Sequence, residues 1–420
     1  MSSAQPRKYV FDEIHGYIVL DNLTRELVDT PPLQRLRRIK QLSQAWYVFP
    51  GAVHTRFSHS LGVMRLAEKV ADKLISDGLL RKDERDLLRV AALLHDIGHT
   101  PYSHALEYVF YTSFGVNHEE LSYMMITEEP HITEALSSYG LTPSEVAEVV
   151  TGGHENVIFS NILGGDLNVD RLDYLPRDAL HTGVKYGLID LERIIQTLTL
   201  DGDGNVAVLP KAIHAVESFY VSRLHMYRSV YYHKTITGYQ LLLASIYELM
   251  MSEREVKSLL EPFTSLEGIR RAVRDGSIAA WDDFLIGGVM DMVLARKLGS
   301  DVLRGLIKSY VNRRGYRAVY NHISFKQGAG ITSSEMDKLD RVSRSLLLKG
   351  LGTYIFRTYT ESVPIISREG EARVIREAKS LRISEIEDSI VGSLPRYMEI
   401  VRIYALPEVE DAVKNVLNLL

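Results

Sequence analysis

The chain has 420 residues, 45% hydrophobic and 25% charged, an ordinary globular balance that admits one large domain or two to three smaller ones. It holds 14 histidines and no cysteine, which excludes disulfides and thiolate metal sites and leaves any metal to nitrogen and oxygen ligands. The balance of 49 basic against 54 acidic residues, net −5, does not favour wholesale nucleic-acid binding; no apolar run could span a bilayer and Met1 to Arg7 does not read as a signal peptide, so a cytoplasmic, membrane-free protein is expected.

In chain order, Lys8 to Leu20 mixes β-branched and aromatic residues around His15-Gly16 and predicts a hairpin. Asp29 to Leu42 predicts a helix opened by Pro31-Pro32, with Leu33, Leu36 and Ile39 on one side and bases on the other. Read alone, that basic run is a solvated helix face. A loop closes at Gly51 and a helix starts near Ser58, with His59 in its first turn. Asp83 reads as the N-cap of a further helix. That helix delivers His95 and Asp96 before Gly98 and Pro101 end it, and His99, His104 and Glu107 follow.

Asn117-His118-Glu119-Glu120 opens another helix, and residues 131–151 read as helical. Asp170, Tyr174, Arg177 and Asp178 share a helical face, although Pro176 should kink that helix or start another. Asp201-Gly202-Asp203-Gly204-Asn205 resembles a calcium loop but lacks the glutamate at its twelfth position, so a hairpin turn is expected. Lys211 to Leu249 reads as one long amphipathic pattern carrying Arg223, Tyr231, His233 and Lys234. Residues 251–420 read as broken helices, with a late strand at Tyr397–Tyr404 before a terminal helix.

A His-Asp pair on its own is as readily packing as chemistry, so further ligands must come from elsewhere in the chain. The best set is His59, His95, Asp96 and Asp170. Two imidazoles and two carboxylates suit Mn, Fe, Zn or Mg, and ligand type does not choose among them. Phosphoester hydrolysis fits such a site better than redox work, since no electron-carrier motif is present.

The pattern His59…His95-Asp96…Asp170 resembles HD-domain phosphohydrolases. Asp29-Thr30-Pro31, Gln34-Arg35-Leu36-Arg37, Val48-Phe49-Pro50-Gly51-Ala52, His59-Ser60-Leu61-Gly62, Pro101-Tyr102-Ser103-His104, Asp170-Arg171-Leu172-Asp173-Tyr174 and Tyr231-Tyr232-His233-Lys234 narrow it further. They are similar to the deoxynucleoside triphosphate triphosphohydrolase branch, densely over residues 8–240 and thinly to the C-terminus. The branch includes animal sterile-alpha-motif/HD dNTPases and their bacterial homologues, and the resemblance does not extend to the animal enzymes' sterile-alpha-motif domain.

The resemblance implies a mainly α fold: an HD-domain helical core with short β-hairpins and a C-terminal α+β lobe. It divides the chain into residues 1–250, a catalytic core with an N-terminal nucleotide and assembly segment, and residues 251–420, continuous with it. It implies metal-dependent hydrolysis of dNTPs to deoxynucleoside and tripolyphosphate, with a divalent ion on His59, His95, Asp96 and Asp170. His99, His104, Glu107 and His118 would form the catalytic cluster, His104 serving as general acid; Glu107 stands where relatives carry aspartate. Arg56, Arg171, Tyr174 and Arg223 would face the triphosphate, and Gln41, Leu42, Asp178 and Tyr231 the sugar and base. Lys8, Asp29, Gln34 and Arg37 match a guanine-nucleotide activator site, and Val48, Phe49, His233 and Lys234 a deoxynucleotide site between subunits. A homotetramer or dimer, activated by guanine nucleotide or dNTP, is therefore expected. The rivals are an HD-family phosphatase or nuclease acting on nucleoside monophosphates or nucleic acid, and a catalytically silent nucleotide sensor.

Overall fold

The computed structural model describes residues 8–325, 341, 356–367 and 370–418. Its centre is a pair of helices, Arg56–Ser76 and Glu84–Leu94, packed along their apolar stripes. Val63, Leu66, Ala67 and Val70 on the first, with Leu88, Ala91 and Ala92 on the second, are fully buried. Burying each such Val or Leu contributes roughly 1.5–3 kcal/mol, which makes this pair a stiff base for what its ends carry. Glu84 and Asp86 occupy the first turn after Asp83, at the positive end of the helix dipole.

Around the pair lie the helices His104–Phe114, His118–Glu128, Pro130–Ser138, Pro143–Thr151 and Val169–Thr182. Asn117 caps the second of these through a capping box with Glu120, and prolines open the next two. Two glycines set how closely the helices approach. A Cβ on Gly62 would stand 1.9 Å from Asp173 Oδ1, and one on Gly98 would stand 2.2 Å from the Ser122 amide. Only glycine lets the Val169–Thr182 and His118–Glu128 helices press against the residues that carry His59 and His95.

Among the described residues the strands form three small sheets. Lys8–Asp12 and Gly16–Leu20 make the predicted antiparallel hairpin, with Asp12 opposite Gly16. Leu198–Leu200 and Val206–Val208 make the second predicted hairpin, whose Asp201 side chain accepts from the Asp203 and Asn205 amides. Val206–Val208 also pairs in parallel with Arg373–Arg376, which pairs with Lys379–Arg382. Tyr397–Ala405 is the centre of an antiparallel sheet, between Arg317–Ser324 and Phe356–Pro364. That sheet meets the Lys234–Ser252 helix at Gly238, where a Cβ would stand 2.7 Å from the Tyr316 carbonyl. The fold is mainly α, with short hairpins and a C-terminal α+β region. No helix among the described residues is long and apolar enough to cross a membrane.

The structure departs from the expected elements in four places. The 29–42 stretch is a helix only over Pro31–Arg35 and a 3-10 turn over Leu36–Arg38, because the Lys40 amide turns to donate to Asp283. Val169–Thr182 is one helix with Pro176 inside it, and Arg177 faces Asp173 and Asp12 rather than Asp170. The 211–249 pattern is two helices, Ile213–Met226 and Lys234–Ser252, parted by a π turn over Tyr227–Tyr231. Beyond residue 251 the expected broken helices run as far as Val311, and after them, among the described residues, four strands stand where further helices were expected.

Candidate functional site

His59 sits in the first turn of the Arg56–Ser76 helix, 1% exposed. Its Nδ1 is 2.7 Å from Asp173 Oδ2. Its Nε2 is 2.9 Å from Asp170 Oδ1 and 3.8 Å from Asp96 Oδ2. His95 follows the last residue of the Glu84–Leu94 helix, and its Nδ1 lies 2.8 Å from the Ala92 carbonyl. A carbonyl only accepts, so that nitrogen carries the proton and Nε2 presents a lone pair. Nε2 is buried without a hydrogen bond, 3.4 Å from Asp96 Oδ1 and 3.7 Å from Asp170 Oδ1.

Lone pairs and carboxylates thus converge on one point, an arrangement a cation relieves. Burial alone would push the His59 pKa down; the carboxylates of Asp170 and Asp173 outweigh it and raise it to about 10. Burial likewise opposes charge on Asp96, yet Arg56, His95 and His99 hold its carboxyl well below the usual range. Ligand atoms of His59, His95 and Asp96 all lie within 4.8 Å of one another. Asp170, with 31% of its side chain exposed, completes the corner on the open side. The donor set fits a divalent metal ion held by nitrogen and oxygen, with the choice of ion open.

A second group of histidines adjoins this corner through Asp96. His99 Nε2 is 3.2 Å from Asp96 Oδ1, and the His99 ring stacks on His118 at 4.3 Å. His118 Nδ1 and His104 Nδ1 each meet one oxygen of Glu107, the latter at 2.7 Å. Burial and the nearby Arg56 cation push His99 well below its ordinary pKa and keep it neutral. Against the burial that opposes charge on both, His104 and His118 lower the Glu107 carboxyl, and Glu107 raises the His118 imidazole. His104 opens the His104–Phe114 helix with 63% of its side chain exposed.

The turn that presents His104 is strained. Tyr102 and Ser103 have φ of 57° and 52°, unusual for two successive residues other than glycine. Asp283 holds it by accepting from the Tyr102 amide at 2.6 Å, Ser43 donates to the Tyr102 carbonyl, and Arg56 Nε donates to Ser103 Oγ at 2.7 Å.

Of the residues expected to meet sugar and base, Gln41, Asp178 and Tyr231 are linked through His54, whose carbonyl accepts from the Gln41 amide at 3.0 Å. Asp178 accepts from Tyr231 OH at 2.7 Å and lies 2.7 Å from His54 Nε2, and the Tyr231 ring meets Tyr174 edge-on at 5.8 Å. Gln41 Oε1 is buried without a partner, beside the partly buried Leu42. Of the residues expected to face the triphosphate, Arg56 Nη1 bonds Asp96 at 2.5 Å. Arg171 and Arg223 both bond Asp166, at 2.6 and 2.9 Å.

The residues matched to activator sites make contacts among themselves and with Phe57. Lys8 Nζ is 3.9 Å from Asp29, while Arg37 donates to Gln34 and lies over the Phe57 ring. Phe49 and His233 rings are 6.2 Å apart; Val48 precedes the first and Lys234 follows the second, opening the Lys234–Ser252 helix.

Sequence reasoning missed His15, Asp166 and Asp283 and gave Asp173 no role. Asp173 was within reach, since it lies three residues after Asp170 in a dense polar run; the others carry no local pattern. His15, at the tip of the first hairpin, bonds Asp173 at 2.6 Å and so braces the carboxylate behind His59.

Comparison with known proteins bears on the same residues. The HD domain family matches residues 56–175 and the HD associated region matches residues 189–262, so the chain carries both. An uncharacterized protein, YwfO of Bacillus subtilis, is 38% identical over 239 residues, covering 56% of this chain and 54% of that one. The human deoxynucleoside triphosphate triphosphohydrolase SAMHD1 is 33% identical over 264 residues, 54% of this chain and 42% of that one. The chain spans about half the length of the curated relatives it matches. Among solved structures, a phosphohydrolase from Bacteroides thetaiotaomicron superposes with a TM-score of 0.77 at 26% identity, over 95% of this chain and 100% of the other. A hypothetical protein from Aquifex aeolicus shares the fold with a TM-score of 0.78, over 98% of this chain and 100% of the other.

Proposed function

We propose that this chain is a metal-dependent phosphohydrolase that cleaves deoxynucleoside triphosphates to deoxynucleoside and tripolyphosphate. The observation that carries this reading is the joining of two groups through Asp96: a buried His-His-Asp corner and a His-Glu-His cluster with one exposed imidazole. A divalent ion, when bound, supplies a polarised phosphoryl oxygen and an acidified water.

The chain's own residues do the rest. Glu107 fixes His104 through Nδ1 and leaves Nε2 to give a proton to the leaving 5′-oxygen. Glu107 is a methylene longer than the aspartate of relatives, and its two oxygens reach His104 and His118 at once. Arg56, Arg171 and Arg223 supply cationic forks suited to phosphate. Asp178 and Tyr231 receive the sugar, the tyrosine ring standing as a wall where a 2′-hydroxyl would project. Gln41, with an unsatisfied oxygen, and Leu42 face the base. Lys8, Asp29, Gln34 and Arg37, and separately Val48, Phe49, His233 and Lys234, bind guanine nucleotide or dNTP activators in a homotetramer or dimer.

Product analysis tests the reading: each dNTP, with Mn, Fe, Mg or Zn, with and without GTP or dGTP. Tripolyphosphate as the product supports it. Single phosphate, cleaved nucleic acid, or binding without turnover replaces it with a phosphatase, a nuclease or a silent sensor respectively. Equal rates with and without guanine nucleotide remove the activator sites. A Tyr231→Ala protein that stays folded and gains no ribonucleotide activity removes the wall.

A further inference from the structure

Asp166 lies in no motif, yet it is 1% exposed and has five polar partners. Its Oδ1 accepts from Arg171 Nη1 at 2.6 Å and from Arg223 Nη1 at 2.9 Å. Its Oδ2 accepts from the Ser367 amide at 2.8 Å and lies 3.5 Å from Tyr220 OH. Its own amide donates to the Gly370 carbonyl at 2.7 Å. Two further bonds run alongside: Arg223 Nη2 donates to the Pro364 carbonyl at 3.2 Å, and the Ala372 amide donates to Tyr220 OH at 2.9 Å.

Two guanidinium groups brought to one place repel each other unless an anion lies between them, and the repulsion grows as water is excluded. Here a single carboxylate oxygen is shared by both, so Asp166 fixes their spacing and leaves the trio one net positive charge. Arg223 has three of its five N–H donors engaged, with Tyr227 OH on its Nε at 3.1 Å, so its orientation is set before any ligand arrives and two donors are left for one. The other carboxylate oxygen is tied to the Ser367 amide, which lies outside both matched family regions. Cations held in advance bind a polyphosphate with less loss of side-chain freedom than cations that must be gathered.

We infer that Asp166 is a positioning residue for the substrate's polyphosphate: it pairs Arg171 with Arg223 and fastens both to the segment around Pro364–Ser367. The inference rests on the reading of those two arginines as phosphate-facing. Asp166→Asn keeps the shape and removes the charge. In the manganese-loaded full chain, it should raise the KM for dNTP about tenfold, the size of one charge-assisted hydrogen bond, with kcat little changed.

Binding of inorganic tripolyphosphate, followed by calorimetry, should weaken by a similar factor while manganese affinity stays the same. Tyr220→Phe removes the hydroxyl that backs Asp166 at 3.5 Å, and should weaken tripolyphosphate binding by about two- to fourfold, as for one long, weak hydrogen bond. Because tripolyphosphate binding needs no turnover, a wild-type chain that binds it without hydrolysing dNTP would sink the proposed activity and leave Asp166 standing. Unchanged tripolyphosphate affinity in both variants, with only the unfolding temperature lowered, would make Asp166 a structural ion pair and overturn the inference. So would a fall in kcat at constant KM.

Discussion

The two histidine groups of the site are mounted in opposite ways. His59 is buried and His95 mostly so at the ends of the two central helices, and each turns one nitrogen to an oxygen behind it, Asp173 or the Ala92 carbonyl. Their free nitrogens can only point inward. His104 and His118 share a single acceptor, Glu107, and His104 stands exposed after a strained two-residue turn held from Asp283. The first arrangement suits holding an ion at fixed geometry, and the second suits a group that must reach a substrate and release a proton. The contrast teaches that metal binding and proton transfer should fail separately.

The largest effect should come from the corner itself. Asp96→Ala removes a carboxylate that also serves Arg56 and His99, so both metal content and dNTP turnover should collapse, turnover by roughly 10³-fold or more, as when one member of a unit is deleted. Elemental analysis beside a product assay reads both. Glu107→Gln should leave metal content intact and lower kcat by about 10²- to 10⁴-fold, the span of general acid catalysis, because the imidazoles lose the charge that orients them. If metal is lost as well, the two groups are not separable. Asp173→Asn should do the converse on a smaller scale, weakening metal affinity by about 10- to 100-fold through the loosened His59 ring. Metal titration checks it, and an unchanged affinity would take Asp173 out of the site.

The smallest effect concerns pH. Burial pushes the Asp283 carboxyl up to about 6 from 3.8. A folded acid with a raised pKa holds its proton more tightly than the unfolded chain does. It therefore favours folding at the acid end, and that contribution is lost as pH rises through the interval from 3.8 to about 6. Unfolding measured across that interval should show wild type losing stability relative to Asp283→Asn. Parallel profiles in the two chains would refute this.

What the sequence made legible follows from locality. His59 lies on, and His95 and Asp96 directly follow, helices with clear apolar spacing, and Asp170 sits in a dense polar run, so each announced itself with its neighbours. Asp166, Asp283 and His15 act on residues far from them in sequence: Asp166 reaches Arg223, Asp283 reaches Tyr102, and His15 reaches Asp173. No periodicity records such pairings. The strands Arg317–Ser324 and Phe356–Pro364 were lost for a related reason, since both pair with Tyr397–Ala405 rather than with a neighbour across a tight turn. The π turn at Tyr227–Tyr231 adds one residue to a helical repeat, which a pattern read over 211–249 absorbs without trace.

The tether from Asp283 to the Tyr102 amide has a consequence for dissecting the chain. A fragment ending at residue 262, where the matched regions stop, would carry every side chain of the metal corner and of the His104–Glu107–His118 cluster, but not the carboxylate that keeps their connecting turn wound. Such a truncated chain should still titrate with manganese while its turnover drops, behaving as a metal-binding module rather than an enzyme.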